Sequence, residues 1–168
     1  MIRLTLIVAG VLFPLLTTQA AAQRKSLTET RAPAAASLSI TGKVGGKSLQ
    51  ASGGGSCRHA PDAAIRGVSA SLWMVQYAGG EGGVKQLNLT LWRPKDGSPD
   101  QLSLAFETNS GEYRIETGEG DHKGEGAVTI LPNGPGGRLE LSGKEAGGKP
   151  VQITIDCPAF AGIQAEGG

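Results

Sequence analysis

From Ser37 onward, apolar and polar residues alternate with a period of two, the pattern of strands that bury one face. Leu38 and Ile40 share one face of ASLSIT, with Ser37 and Ser39 on the other. Gly45-Gly46 supplies a tight turn into KSLQA, so residues 37–51 read as a hairpin. After Gly53–Gly55 and Cys57, the stretch RHAPDAAIRG does not alternate and admits one helical turn around Asp62–Arg66, following Pro61 and stopped by Gly67. GVSASLWMVQY is apolar on both faces, with Val68, Ala70, Leu72 and Met74 on one and Trp73, Val75 and Tyr77 on the other. QLNLTLW points Leu87, Leu89 and Leu91 inward and ends at Pro94. QLSLAFE sends Leu102, Leu104 and Phe106 to one side, and EYRIET, AVTIL, RLELSG and VQITIDC follow, the last with Val151, Ile153, Ile155 and Cys157 in phase.

These runs amount to about nine short strands, and no segment has a convincing 3.6-residue repeat. Glycine, 27 of the 168 residues, concentrates between the runs, where the backbone needs positive φ. The expected fold is all-β, an antiparallel β-sandwich, with a flattened β-barrel as the alternative.

The start of the chain has a different texture. Met1, Ile2 and Arg3 precede an apolar run, Leu4–Leu16, and then the small and polar TTQAAAQ. That order is the plan of a secretory signal peptide, and Ala20 and Ala22 place the cut before Gln23. The apolar run is too short to span a bilayer, which takes about 20 residues. Its cleavage point lacks the cysteine that lipid attachment requires. The expected organisation is a signal peptide at 1–22, a flexible leader at 23–36 and a single β-domain at 37–168. No membrane anchor is expected after cleavage, and the location is periplasmic or secreted.

The chain carries 16 Lys and Arg against 15 Asp and Glu, and Arg3 lies in the signal segment, so the remainder is balanced. A balanced surface gives no electrostatic reason to expect nucleic acid as a partner. Both cysteines, Cys57 and Cys157, fall in the exported part, where an even pair is expected to be bridged. For a loop of that length, the chain-entropy argument gives roughly 4–5 kcal/mol of stabilisation.

Catalytic and metal templates are missing: there is no G-x-S-x-G, H-E-x-x-H, C-x-x-C, phosphate loop or dinucleotide fingerprint. His59 and His122 each sit in polar, loop-like sequence and read as exposed loop histidines. Glu107, Glu112, Glu116, Glu119, Asp121 and Glu125 are close in sequence. A glycosidase, however, needs two carboxyls facing each other across a cleft, and alternation with apolar residues fits a solvated sheet face. The loop Gly118–Ala127 offers Glu119, Asp121 and Glu125 to a hard cation such as calcium, although its glycines also suit a plain hairpin connection. Asn88-Leu89-Thr90 matches the glycosylation acceptor pattern, but mid-strand. Trp73, Tyr77 and Trp92 lie on the less apolar faces of two successive strands. Exposed together, they would make a platform for a glycan or a partner protein; covered, they would be core anchors.

Ser37–Cys57 and Gly148–Cys157 together resemble the opening hairpin and closing strand of the LpqH-type exported lipoprotein antigens. The resemblance implies a small, disulfide-closed, non-enzymatic surface domain, with Cys57 and Cys157 as the corresponding pair. The chain departs from that family in lacking the lipid-attachment cysteine, so anchoring does not carry over. Taken together, the sequence points to an exported, non-enzymatic β-domain with a binding or surface-interaction role and no cofactor. An extracytoplasmic hydrolase using paired carboxylates, or a metal or small-ligand carrier, is the alternative.

Overall fold

A computed structural model describes residues 36–118 and 123–163. The signal peptide and nearly all of the leader expected from the sequence therefore lie outside the described residues. The described chain is built of strands: β1 (Ala36–Val44), β2 (Lys47–Ile65), β3 (Val68–Ala78), β4 (Glu81–Gly82), β5 (Val84–Pro94), β6 (Gln101–Thr108), β7 (Gly111–Glu116), β8 (Glu125–Asn133), β9 (Gly136–Lys144), β10 (Pro150–Cys157) and β11 (Ala161–Gly162). Nine of them form one hydrogen-bonded antiparallel path, β7-β6-β5-β3-β2-β1-β10-β9-β8, while β4 and β11 each pair with β2. The sheet is strongly curled into a half-barrel around a single core.

The curl depends on β2, which belongs to both halves of the sheet. From Lys47 to Gly55 it pairs with β1, and from Gly55 to Ile65 with β3. The two layers expected of a sandwich are thus the two ends of one sheet, joined by a strand that crosses the corner. Gly53-Gly54-Gly55 marks the crossing. A Cβ on Gly55 would run into the Gln76 carbonyl oxygen and the Leu38 side chain, so the backbones can meet there only without one.

The alternation in the sequence sets which side chains turn inward. Leu38 and Ile40 (β1), Leu87, Leu89 and Leu91 (β5), Leu102, Leu104 and Phe106 (β6), and Val151, Ile153 and Ile155 (β10) are all buried in one cluster. On β3 the inward face is Trp73, Val75 and Tyr77. Ala70 and Leu72 are also buried, but outside that cluster, on the opposite face of the strand. β8 leans on the far end of the sheet, where a Cβ on Gly126 would press on Leu102 and Ile115.

The helical turn expected around Asp62–Arg66 does not form. β2 runs on to Ile65, and a bulge between Ala60 and Ala63 takes up Pro61 and Asp62 without ending the pairing with β3. The turn is Arg66-Gly67, both with positive φ (49° and 83°), the geometry of a two-residue hairpin. Pro132 lies in β8, which has a neighbour on one side only and therefore tolerates a residue that cannot donate.

Cys57 and Cys157 form the expected disulfide, with Cα atoms 6.0 Å apart. Cys57 follows the corner of β2 and Cys157 ends β10, so the bridge ties one half of the sheet to the other from inside the curl. Both cysteines are buried with the core. A disulfide of this kind belongs to an oxidising environment outside the cytoplasm.

Candidate functional site

The expected platform of Trp73, Tyr77 and Trp92 is not formed, because strand register divides the three residues between two faces. Trp73 stands opposite Leu91 and Tyr77 opposite Leu87, both inward positions, whereas Trp92 stands opposite Leu72 on the outer face. Trp73 is 9% exposed and Tyr77 1%. Burial raises the pKa of the Tyr77 phenol, whose hydroxyl donates to the Ser52 carbonyl at 3.4 Å. These two aromatics are core anchors. Trp92 alone remains half-exposed.

His59 is likewise not an exposed loop histidine. It sits on β2 opposite Trp73, with its ring stacked on the indole at 4.5 Å and 10° between planes, and with the edge of Phe160 on another side at 6.1 Å. Its Nε2 is shut off from solvent and has no hydrogen-bond partner among the described residues. Burial lowers its pKa, which favours the neutral ring.

Trp92 leads to the most structured part of the surface. Along the outer face of β6, Ser103 and Ala105 present short side chains. The flanking strands carry longer ones: Thr90, Asn88 and Gln86 on β5, and Glu116, Arg114 and Glu112 on β7. A short row between two taller rows makes a valley that follows β6. Two hollows occupy it. One, of about 330 Å³, is lined by Ile65, Thr90, Trp92, Gln101, Ser103 and Lys123 among others. The second, of about 540 Å³, is lined by Gln86, Asn88, Ala105, Glu107, Glu112 and Arg114, with Tyr113 and Glu145 at its margin. From Trp92 to Gln86 the valley runs about 20 Å, at roughly 3.3 Å per strand residue.

The charges along the valley largely pair with one another. Lys85 reaches Glu107 at 2.8 Å, and Glu116 receives Arg114 at 3.6 Å and Lys123 at 3.9 Å. The Glu145 carboxylate accepts the Gly147 and Lys149 amides; the Gly147 hydrogen bond is the main cause of its lowered pKa. What is left facing solvent is mostly hydroxyl and amide: Thr90, Ser103, Asn88, Gln86 and Gln101. Glu107 and Glu112, the carboxylates brought closest by register, stand side by side on one face and not across a cleft.

Glu119, Asp121 and His122 lie outside the described residues, so the cation reading of the Gly118–Ala127 loop falls there too. Asn88 of the acceptor pattern is exposed mid-strand in the valley. The valley floor follows from the short side chains of Ser103 and Ala105 beside longer cross-strand neighbours such as Glu116, Asn88 and Arg114, a contrast legible only once the β5–β6–β7 register is known. No family model, curated protein or solved structure matches the chain.

Proposed function

We propose that this chain is an exported, non-enzymatic β-domain that acts by binding, with the outer valley over β6 as its binding face. Export is supported by the leading basic-apolar-small sequence of residues 1–22 and by the disulfide, which fits the periplasm or the medium outside the cell. A non-enzymatic role is supported by the missing catalytic motifs and by the side-by-side placement of Glu107 and Glu112. The likeness of Ser37–Cys57 and Gly148–Cys157 to LpqH-type antigens points the same way.

One observation carries the reading: Ser103 and Ala105 on β6 lie between the polar outer rows of β5 and β7, hollows open over them, and the half-exposed Trp92 stands at one end. A half-exposed indole beside hollows lined by hydroxyls and amides is the combination of apolar surface and convergent polar groups that ligand sites use. The test uses the full chain, recovered as exported, on arrays of glycans and of proteins from the cell envelope. Binding that Trp92→Ala weakens supports the reading. Binding that is unchanged by Trp92→Ala and by Ala105→Leu, which fills the floor, overturns the valley as the site.

A further inference from the structure

We infer that the valley takes a linear, uncharged oligosaccharide, an inference that rests on the valley being the binding face. The backbone argues first. β6 is paired with β5 on one side and, from Ser103 to Thr108, with β7 on the other, while Leu102 bonds Thr117, so the floor offers no free N–H or C=O row. An extended peptide lying there would find no strand edge to join, and its own amides would lose water without gaining partners. The groups that can bond a ligand are side-chain hydroxyls and amides: Thr90, Ser103, Asn88, Gln86 and Gln101. Each of them both donates and accepts, as sugar hydroxyls do.

Charge argues second. The two hollows are lined by Glu107, Glu112, Glu116 and Glu145 against Arg114 and Lys123. Glu107 is paired with Lys85 beside the valley, Glu116 with Arg114 and Lys123, and Glu145 accepts main-chain amides. No positive excess is left over to draw an anionic polymer such as a nucleic acid or a sulfated glycan. Shape argues third. Two hollows follow one another along β6, an arrangement that suits a chain of rings, and the half-exposed Trp92 indole supplies an apolar surface for the C–H face of a terminal ring. Tyr113 does not serve in this way, because Phe106 stacks on it at 5.0 Å and Lys149 lies over it at 5.5 Å.

The probes are linear oligosaccharides of neutral hexoses and pentoses, of increasing length. Uronic-acid and sulfated oligosaccharides and extended peptides of either charge complete the panel. All are titrated against the full chain recovered as exported. The expected result is binding of a neutral oligosaccharide that tightens with length over the first few rings. It changes less than about twofold between about 0.05 and 0.5 M salt. Trp92→Ala is expected to weaken it by about tenfold or more, as loss of an aromatic anchor does, and Ala105→Leu to abolish it. Both variants are checked for a cooperative unfolding transition and an intact disulfide, and Asn88→Ala, an exposed change that the fold tolerates, serves as a third. If only a charged ligand binds, with steep salt dependence and loss in the valley variants, the sugar class is wrong although the binding face stands. If a neutral oligosaccharide binds the variants as well as the parent, the valley itself is wrong. If no neutral oligosaccharide binds, the inference fails.

Discussion

The guanidinium of Arg93, on β5, donates through Nη2 to the main-chain carbonyl of Val128, on β8, at 3.0 Å. These strands lie far apart along the hydrogen-bonded path of the sheet, so this contact joins the sheet to itself. Arg93 has the inward parity of Leu87, Leu89 and Leu91, and as a charge at such a position it needs partners. It has them: Asp100 receives its Nε at 3.0 Å and its Nη2 at 2.8 Å, and the ring of Trp73 lies 5.4 Å from its Cζ. Val128 belongs to a strand with one neighbour, and its carbonyl is turned toward the open side. Arg93 therefore occupies a main-chain acceptor that would otherwise be open to another chain.

Replacing Arg93 by Ala is expected to lower stability by about 1–3 kcal/mol, the usual effect of losing a charge-assisted hydrogen bond. Arg93→Lys should recover less than half of that, because a point charge cannot hold Asp100 and Val128 together in one plane. Urea midpoints measure both. Hydrogen exchange at β8 should rise in Arg93→Ala while β10 stays protected; uniform exchange across the sheet would contradict a local clasp.

The two tryptophans should respond in opposite ways. Trp73→Ala opens a cavity in the core and removes the surface on which His59 and Arg93 rest, so a loss of about 3–5 kcal/mol is expected. Trp92→Ala, on the outer face, should cost about 1 kcal/mol or less. Chemical denaturation of the pair decides the matter, and equal losses would contradict the assignment of faces.

Much of the fold was legible in the chain, and the reasons are physical. Leu87, Leu89 and Leu91 alternate with polar residues, so their inward face could be read without coordinates. β3 could not be resolved in the same way, because its two faces are almost equally apolar. Only the register opposite Leu91 shows Trp73 to be inward, and that single uncertainty misplaced the aromatic platform. Arg66-Gly67 went unread because Arg is a rare occupant of positive φ, and an Arg-Gly pair does not announce a hairpin as Gly45-Gly46 does. The corner at Gly53–Gly55 is a property of packing against Leu38 and Gln76, which lie far away in sequence.

Opening the disulfide tests how far the two halves of the sheet hold without it. Cys57→Ser/Cys157→Ser releases a loop with a sequence separation of 100 residues. In the chain-entropy account this corresponds to roughly 4–5 kcal/mol, acting mainly on the unfolded state. The native sheet of the variant should keep its strand content, with a lower urea midpoint and an unchanged position for Trp73, read from its fluorescence. A drop under about 1 kcal/mol would mean that the core alone closes the curl.

The dependence of stability on pH should carry the mark of His59. Burial between Trp73 and Phe160 holds its folded pKa below the ordinary 6.5, while in the unfolded chain the ring titrates near that value. As pH falls through 6.5, the unfolded state takes up a proton that the folded state still refuses. Unfolding is thereby favoured, and stability falls until the folded pKa is passed, below which the contribution levels off. Above 6.5 the ring is neutral in both states and contributes no slope. His59→Phe keeps a flat ring against Trp73 but cannot titrate. The difference in stability between parent and variant, followed by urea denaturation from pH 8 down to pH 5, should therefore be level above about pH 7 and decline below it. Carboxylates such as Glu145, whose lowered pKa affects more acidic solutions, cancel in that difference. A difference that stays level across the range would show that the ring is not held neutral by its burial. One that grows as the pH falls would reverse the sign, and would mean that the folded protein binds the proton more tightly than the unfolded chain.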